Sequence, residues 1–354
     1  MSKERLGAAV HGAGWVSTQH LDAYLKNPHT KVVAISSRRE SSAKKLAEMY
    51  GLKEGVKIYT DYDKLVDDPE VDVISICTPQ HLHSEEVVKG AEAKKHLVIE
   101  KPVAHTLEGL KAMRDAARKA GVKTVVSFVL RWNPCVETIK QMIADGFLGR
   151  IYYVEADYQS RIGSWWSGWD WARRKEIGVS TFLVAGVHSI DLARWFANTE
   201  RYRASNITEV VAYSGGYRKG TEDPPMEYDG LEVMLVKFDN GAIGKISSNY
   251  DVVMPYNFVW SVFGDKGTAK NNRVWSKKFP GQNDWVTIPA IMPDTAEVSH
   301  HPFTGEINHF IDCILNDKES YLNLEDAVNT HEAAFAAMTS YNEGHRVVKL
   351  PLLK

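Results

Sequence analysis

The stretch LGAAVHGAGWVSTQHLDAYLKN, from Leu6 to Asn27, joins a short apolar run to a helical segment through a glycine-rich turn. The run LGAAV is typical of a buried strand, and Leu21, Tyr24 and Leu25 recur at the spacing of one helix face. A strand that passes through glycines directly into a helix is the opening unit of a strand–helix–strand fold. This stretch therefore predicts an α/β domain.

The alternation of strand and helix continues to about residue 127. Four more apolar runs, each separated by a helical segment, read KVVAIS, DVISICTP, HLVIEKP and KTVVSF. Strands connected through helices pair in parallel by right-handed crossovers. We expect a doubly wound parallel sheet in residues 1–127, with ligands bound beyond the carboxyl ends of its strands.

The remaining residues, 128–354, have a different pattern. One helical segment, CVETIKQMIADG, leads into a series of alternating strand-like runs. Asn240-Gly241 lies between two such runs and is a strong hairpin signal, and Asp265 to Gly267 is another. We expect residues 128–354 to form a second α+β domain with a large, mostly antiparallel sheet.

The composition excludes several classes of protein. With 44% hydrophobic residues, 25% charged residues and a formal net charge of -2, the chain has no bias towards nucleic acid. The sequence contains no apolar run near the ~18 residues of a membrane span. Three scattered cysteines, Cys77, Cys135 and Cys313, do not form a disulfide framework or a zinc cluster. We expect a cytoplasmic protein without membrane or nucleic-acid partners.

The glycine-rich turn predicts a dinucleotide site. Gly12, Gly14, Trp15 and Val16 follow the first strand and open the first helix, so backbone amides there can meet a pyrophosphate. Ser17 stands where the motif G-x-G-x-x-G has its third glycine, and it is small enough for the close packing required there. The alternative is a tight turn without a ligand.

The end of the second strand predicts which nucleotide is bound. The segment AISSRRE offers Ser36, Ser37, Arg38 and Arg39, with no acidic residue at the strand tip to accept from a ribose 2'-hydroxyl. Arginine beside hydroxyl groups suits a 2'-phosphate. We therefore expect NADP or NAD, with a slight preference for NADP from Ser37 and Arg38; the alternative is that both arginines belong to a solvated helix turn.

Several short motifs together resemble the Gfo/Idh/MocA family of nicotinamide-dependent sugar and polyol oxidoreductases, and they extend over nearly the whole chain. They are GAGWVS, ICTPQHLH from Ile76, EKP from Glu100, RW at Arg131, GFLGRI from Gly146, GVHSID from Gly186, GDKGT from Gly264, HPFTGEINHFID and VVKLP. The resemblance implies an N-terminal Rossmann domain and a homodimer or homotetramer formed through the C-terminal sheet.

Lys101 is the first candidate for catalysis. The resemblance implies that it reaches the nicotinamide and the substrate hydroxyl, and that the bond before Pro102 is cis. A cation at the carboxyl end of a parallel strand, next to a bound cofactor, also stabilises a developing alkoxide. The alternative is an ordinary surface lysine.

The histidines of ICTPQHLH have two interpretations. The resemblance implies that Thr78, Pro79 and His83 line the ribose of the nicotinamide, and we add Glu100 to the cofactor-binding residues. His81 and His83 also suggest a metal, with two glutamates nearby. Catalytic zinc needs three protein ligands, and a third is not evident, so we predict no metal site.

The segment STFLVAGVHSIDLARWFA, residues 180–197, predicts one helix. The resemblance places the catalytic acid or base at His188, with an aspartate four residues earlier, but this chain has Val184 there. Without that carboxylate the imidazole loses a charge partner, and Asp191, three residues later, can orient it only in part. Tyr158 is another candidate base, and a structural histidine is the alternative for His188.

The segment SRIGSWWSGWDWARR contains four of the ten tryptophans, at Trp165, Trp166, Trp169 and Trp171. Such rings can stack on sugars, or they can pack in an oligomer interface. We predict substrate contacts from the following residues: Arg131, Tyr158, Trp165, Trp166 and Asp191.

The leading hypothesis is an enzyme that transfers hydride between a secondary hydroxyl of a sugar, glycoside or cyclitol and a nicotinamide ring, with Lys101 and His188 as catalytic residues. One alternative is a glycoside-processing enzyme that forms a 3-oxo-glycoside with tightly bound NAD. Another is a dinucleotide-binding sensor without turnover. His300, His301 and His309 are further polar candidates, with a surface or structural role as the alternative.

Overall fold

The computed structural model describes residues 5–52, 54–221, 224–289 and 301–354. The chain folds as two compact units. Unit one consists of Met1–Val129 and Pro302–Glu325, and unit two of Leu130–His301 and Asp326–Lys354. The predicted division after residue 127 lies within two residues of the first boundary, but it did not include the return of the chain to unit one.

Unit one contains the predicted doubly wound parallel sheet. Its strands are β1 (Leu6–His11), β2 (Thr30–Ser36), β3 (Lys57–Tyr59), β4 (Val73–Ile76), β5 (His96–Ile99) and β6 (Thr124–Val126). They are all parallel, in the order β3-β2-β1-β4-β5-β6. The three-residue β3 was not predicted because it is too short to show a period.

Five helices connect these strands, and the sheet is covered on its faces as expected for apolar strands. They are α1 (Trp15–Lys26), α2 (Glu40–Met49), α3 (Tyr62–Val66), α4 (His83–Glu92) and α5 (Leu107–Ala120). Val10, Ile35, Ile74 and Val98 are fully buried at the sheet centre. The strand order reverses between β1 and β4, which is where this fold binds ligands.

Unit two is built on a nine-stranded sheet. Its strands are β7 (Ile151–Gln159), β8 (Ile207–Gly215), β9 (Leu231–Phe238), β10 (Ile243–Asn249), β11 (Asn257–Gly264), β12 (Gly267–Lys270), β13 (Arg273–Ser276), β14 (Val286–Thr287) and β15 (Val348–Lys349). Among the described strand pairs of this second sheet, only β7–β10 is parallel. The prediction of a mostly antiparallel sheet is therefore confirmed. The hairpins at Asn240-Gly241 and Asp265 to Gly267 are both present.

Helices cover one face of the second sheet. They include α6 (Pro134–Ala144), α7 (Trp169–Ala172) and α8 (Val187–Ala197), and α8 packs on β7, β10 and β11. A π-helical turn, Phe182–Gly186, directly precedes α8, so the predicted single helix of residues 180–197 is in fact two segments. The opposite face carries exposed apolar side chains, among them Tyr213, Leu235 and Ile243.

The last two helices are α9 (Phe303–Leu315) and α10 (Leu324–Asn342). Helix α9 packs against α1, and the amide of Asn27 donates to Asn308 Oδ1 at 2.7 Å. This packing explains why the segment from Pro302 belongs to unit one. Within the described ranges, the structure has no helix with the length and apolarity needed to cross a membrane.

Candidate functional site

The turn after β1 has the form of a phosphate-binding loop. Gly12 has φ 109°, and a Cβ at this position would lie 2.7 Å from the carbonyl oxygen of Cys77. Gly14 precedes α1, provides no side-chain cap, and has open space where its Cβ would be. The first amides of α1, including those of Trp15 and Val16, are therefore left for a ligand, and the turn fits a dinucleotide pyrophosphate.

The tip of β2 has no carboxylate to bind a ribose 2'-hydroxyl. The backbone amide of Ser37 donates to the carbonyl of Tyr59 at 3.0 Å, while Arg38 and Arg39 are exposed. The nearest acid in sequence, Glu40, pairs with Lys44 at 2.7 Å in the first turn of α2. This arrangement is compatible with a 2'-phosphate at Arg38.

A buried network joins the ends of β1 and β4 to helix α4. His11 Nε2 lies 2.9 Å from Glu86 Oε1, and the Thr78 hydroxyl donates to Glu86 Oε2. Burial alone would raise the pKa of Glu86, but the contacts with His11 and Thr78 outweigh it and lower the pKa. Glu86 is therefore ionised, and it holds the strand ends that surround the predicted cofactor site.

His83 connects two loops. Its Nε2 lies 2.8 Å from the carbonyl oxygen of Thr78, and its Nδ1 lies 3.0 Å from that of Pro102. The ring is buried, and both nitrogens face backbone carbonyls. His83 thus positions the loops on which Thr78 and Pro79 lie, while its predicted contact with a ribose stays a prediction.

Lys101 follows β5 at the carboxyl edge of the first sheet. It is half-buried, and the Lys101–Pro102 bond is cis, as the family resemblance implied. Burial lowers the pKa of Lys101, and the charge of Glu100 partly opposes this. A lysine with a lowered pKa exchanges protons near neutral pH more readily than an ordinary one.

Glu100 points into unit one. His20 Nε2 lies 2.8 Å from Glu100 Oε1, and the Lys101 backbone amide donates to Oε2 at 3.1 Å. Burial acts to raise the pKa of Glu100, but His20 and Lys101 together lower it. Glu100 is therefore an ionised anchor for the backbone of Lys101, and its predicted direct contact with the cofactor stays a prediction.

The sequence analysis missed a second buried carboxyl in the same region. Glu306 of α9 is fully buried and accepts from the Ser127 hydroxyl at 2.9 Å. Burial raises its pKa well above the usual range, and the charge of Glu100 adds to this. The fold therefore disfavours ionisation of Glu306; its only signal in the sequence was its place in the motif HPFTGEINHFID.

His188 lies in unit two, next to a group of aromatic side chains. It lies near the start of α8, and its ring stands perpendicular to that of Phe258 with centroids 5.9 Å apart. Phe258 in turn contacts Tyr158 and Tyr256 at 5.2 and 5.5 Å. Burial raises the pKa of Tyr158, so this phenol stays protonated and can donate a hydrogen bond but is a poor base.

The start of the helical segment that carries His188 is held by a buried glutamate that sequence reasoning missed. Glu232 of β9 accepts from the Thr181 hydroxyl at 2.7 Å and from the Phe182 amide at 2.6 Å. Val179, just before, has φ 70°, which is unfavourable for a β-branched residue. Glu232 therefore holds in place the strained backbone that leads into the π-helical turn.

Asp191 is paired with Arg131 inside unit two. Both Asp191 oxygens accept from the Arg131 guanidinium, at 2.9 and 2.6 Å. Arg131 also bonds Asp326 at 2.8 Å, and Arg194 lies 3.3 Å from Asp326. The structure thus brings two predicted substrate-binding residues together, as a buried ion pair rather than as an exposed surface.

The four tryptophans of the segment 160–174 have different environments. Trp165 is exposed and its Nε1 donates to the carbonyl of Arg161 at 3.0 Å. Trp169 is buried and donates to Pro224 at 3.0 Å, which makes it structural. Trp166 and Trp171 stack edge-on, with centroids 5.4 Å apart.

The remaining histidines do not gather into a metal site. His301 lies near Tyr256, with ring centroids 6.4 Å apart, and His309 Nε2 contacts the Ser320 hydroxyl at 3.0 Å. His300 lies outside the described residues. In the part of the chain that the structure describes, no three His, Cys, Asp or Glu side chains are grouped as metal ligands.

Comparison with known families identifies both parts of the chain. Residues 6–128 match the family model of the Gfo/Idh/MocA oxidoreductases, NAD-binding Rossmann fold, and residues 140–350 match that of their C-terminal alpha/beta domain. The chain belongs to the Gfo/Idh/MocA family. The resemblance drawn from the short motifs is therefore confirmed, and so is an oxidoreductase with an NAD-binding domain.

Curated relatives of this Gfo/Idh/MocA protein include named dehydrogenases. A levoglucosan dehydrogenase from Pseudarthrobacter phenanthrenivorans is 29% identical over 76% of this chain and 74% of that protein. The scyllo-inositol 2-dehydrogenase (NAD(+)) of Bacillus subtilis is 25% identical over 97% of this chain and 96% of that protein. Both relatives are named dehydrogenases, and the family to which this chain belongs is an oxidoreductase family.

A solved structure shows the same fold. The oxidoreductase domain protein from Kribbella flavida has a TM-score of 0.85 with this chain, at 22% identity, over 98% of this chain and 100% of that one. This chain therefore shares the fold of that structure over nearly all of its residues.

Proposed function

We propose that this protein oxidises a secondary hydroxyl of a sugar, glycoside or cyclitol, or runs the reverse reaction, with a nicotinamide dinucleotide. The observation that supports this most directly is Lys101. It lies half-buried at the carboxyl end of β5, in the same unit as the open glycine turn, with its backbone anchored by ionised Glu100. A cation at the carboxyl end of a parallel strand, beside a bound dinucleotide, stabilises the alkoxide that develops on the substrate.

The residues of unit one that would hold the dinucleotide are those at the carboxyl edge of its sheet. Gly12, Gly14 and the first amides of α1 bind the pyrophosphate, and Ser37 and Arg38 bind the adenosine ribose or its phosphate. When bound, the dinucleotide accepts or supplies the hydride. We propose NADP as the slightly preferred form because Arg38 can engage a 2'-phosphate with two hydrogen bonds.

Two side chains share the proton chemistry in this proposal. Lys101 lowers the pKa of the substrate hydroxyl, because its ammonium stabilises the alkoxide that forms. His188 takes up or returns the hydroxyl proton. Tyr158, which stays protonated, donates a hydrogen bond to the sugar.

The buried pair of Arg131 and Asp191 has a supporting role in this proposal. Asp191 lies one turn after His188 on α8, and its two bonds to Arg131 fix the rotation of that helix. The pair therefore orients His188 rather than touching the sugar.

The assembly we propose is a homodimer or homotetramer formed through the open face of the second sheet. Tyr213, Leu235 and Ile243 are each more than half exposed on that face, which is unusual for a monomer. Light scattering after size exclusion gives the mass, and a monomer at micromolar concentration refutes this part of the proposal.

The enzymatic proposal is tested with a panel of pyranosides, glycosides and inositols, followed at the absorbance of reduced nicotinamide with both NAD and NADP. Turnover of a ring alcohol is expected. The variant His188→Ala should then lose 100-fold or more in kcat while it keeps its affinity for the dinucleotide. The exposed His29→Ala is the matched control and should behave as the unaltered enzyme. No turnover with any member of the panel contradicts the proposal and favours a dinucleotide sensor.

A further inference from the structure

Three loops of unit two meet at the edge of the sheet beside His188. Strands β7 and β10 are parallel, and β8 has the same direction because β9 is antiparallel to both β8 and β10. The carboxyl ends of these three strands therefore lie at one edge, where antiparallel β11 begins with Asn257. His188 contacts Phe258, the next residue of β11, so it lies at this edge.

A buried arginine ties these three loops together. Arg218 is 2% exposed, and its guanidinium donates to the carbonyl of Ile162 at 2.9 Å and to that of Tyr250. The amide of its neighbour Tyr217 donates to Asp251 at 2.7 Å. The loops after β7, β8 and β10 are thus held in fixed positions by buried polar contacts.

These anchored loops present apolar side chains to the solvent. The exposed fractions are 60% for Trp165, 59% for Tyr217, 81% for Val253 and 43% for Met254. We call these four residues the apolar rim. The indole nitrogen of Trp165 is already used by the carbonyl of Arg161, so the ring offers its apolar surface.

A cluster of buried and half-buried aromatic rings, which we call the aromatic floor, lies beside His188 at the strand ends that carry these loops. Tyr158 precedes the first loop by two residues, Tyr256 follows Met254 by two, and both contact Phe258. Aromatic rings stack on the apolar faces of sugar rings, and a rim of exposed apolar side chains next to them favours an apolar ligand group.

We infer that the substrate is a glycoside with an apolar aglycone, rather than a free monosaccharide or an inositol. The sugar ring lies on the aromatic floor against His188, and the aglycone packs on the apolar rim. This inference depends on the proposed function, because it takes His188 as the group at the reacting carbon. The apolar rim lies on three loops that Arg218 holds together, and the strands next to these loops carry the aromatic floor.

The test compares matched pairs of methyl and phenyl glycosides of glucose, galactose, mannose and xylose, with NAD and NADP, in the full enzyme. The phenyl glycoside should have a KM about 10-fold lower or more than the methyl glycoside, from the burial of one aromatic ring. Trp165→Ala and Tyr217→Ala should each bring the ratio of the two KM values towards one. Tyr202→Ala removes an aromatic ring of similar exposure, 59%, outside the rim and should leave the ratio as it is.

The outcomes separate this inference from the proposed function. Equal KM values for the two glycosides, or a ratio that Trp165→Ala and Tyr217→Ala do not change, overturn the inference. Turnover of inositols or free sugars without turnover of glycosides overturns it too, while the proposed function stands. A change of oligomeric mass in Trp165→Ala identifies the rim as a subunit contact, which also overturns it. If neither glycosides nor sugars nor inositols react, both the proposed function and the inference fail.

Discussion

Replacement of Arg131 by methionine should strongly destabilise unit two. Asp191 would remain buried without the two hydrogen bonds of 2.9 and 2.6 Å that now compensate its charge. Breaking a buried ion pair by removing one partner costs about 3–5 kcal/mol. The charge of Asp326 stays partly compensated in this variant, because the guanidinium of Arg194 still lies 3.3 Å from its carboxylate.

The pH dependence of this loss follows from Asp191. Burial already raises the pKa of Asp191, and the charge of Arg131 opposes this shift. Removal of Arg131 therefore raises the pKa of Asp191 further. In Arg131→Met the carboxyl is then neutral when folded and ionised when unfolded. Protonating an aspartate of pKa 3.9 costs about 4 kcal/mol at pH 7 and about 1.5 kcal/mol at pH 5. Since folding takes up a proton, the variant should regain about 2–3 kcal/mol as the pH falls from 7 to 5.

Urea unfolding followed by tryptophan fluorescence measures this effect, because nine of the ten tryptophans lie in unit two. With a slope of about 2–3 kcal/mol per molar, the midpoint should fall by about 1.5–2 M at pH 7. Arg346→Met is the matched control: Arg346 also pairs with a carboxylate of unit two, that of Glu343, but the two side chains are 51% and 54% exposed. Its expected loss is at most about 1 kcal/mol. A loss in Arg131→Met that equals the control, or that grows at pH 5, refutes the reasoning.

Three further predictions concern unit one. Arg38→Ala should weaken NADP binding about 10-fold or more and leave NAD binding unchanged, by calorimetric titration, whereas Lys44→Ala, an exposed cation in the helix α2 that follows, should change neither. Gly12→Ala should abolish binding of both dinucleotides, because φ is 109° and the new Cβ would meet a carbonyl at 2.7 Å. Burial opposes ionisation of Asp68, but the Glu70 amide, Lys57 and Tyr59 together lower its pKa, so its stabilisation is present above about pH 4 and lost below. Asp68→Asn should therefore be less stable than the unaltered protein at pH 7, with a difference that disappears below pH 4 in urea unfolding.

The two sheets were predictable because their signals are local. The run LGAAV, the glycines after it and the dipeptide Asn240-Gly241 each specify a strand or a turn within a few residues. The return of α9 to unit one was not predictable, because its apolar face has the same period whichever unit it packs on. A contact such as Asn27 with Asn308 joins residues that no window of sequence contains together.

The residues of the candidate site were likewise predictable where their signal is local in sequence, and not where it depends on distant contacts. Lys101 was found because a strand end, a proline and a charged residue coincide in three letters. Glu232 and Glu306 were missed because a buried glutamate and a solvated one look alike in sequence, and only the fold shows that each accepts from buried donors. Asp191 was correctly placed one turn from His188, but its partner Arg131 comes from a distant segment.

The geometry at Val184 shows why family spacing alone does not give a histidine its partner. On a regular α-helix the side chain at 184 lies one turn before His188, and an aspartate there would face the imidazole. Here Phe182–Gly186 is π-helical, and a turn that holds about one extra residue rotates the side chains before it by about 100° relative to those after it. Gly186 fits this turn because a Cβ would lie 2.6 Å from that of Ser248 on β10. We therefore expect the orientation of His188 to depend on Glu232 at the start of the turn and on Phe258 opposite the ring, together with the Arg131–Asp191 pair, rather than on a carboxylate at position 184.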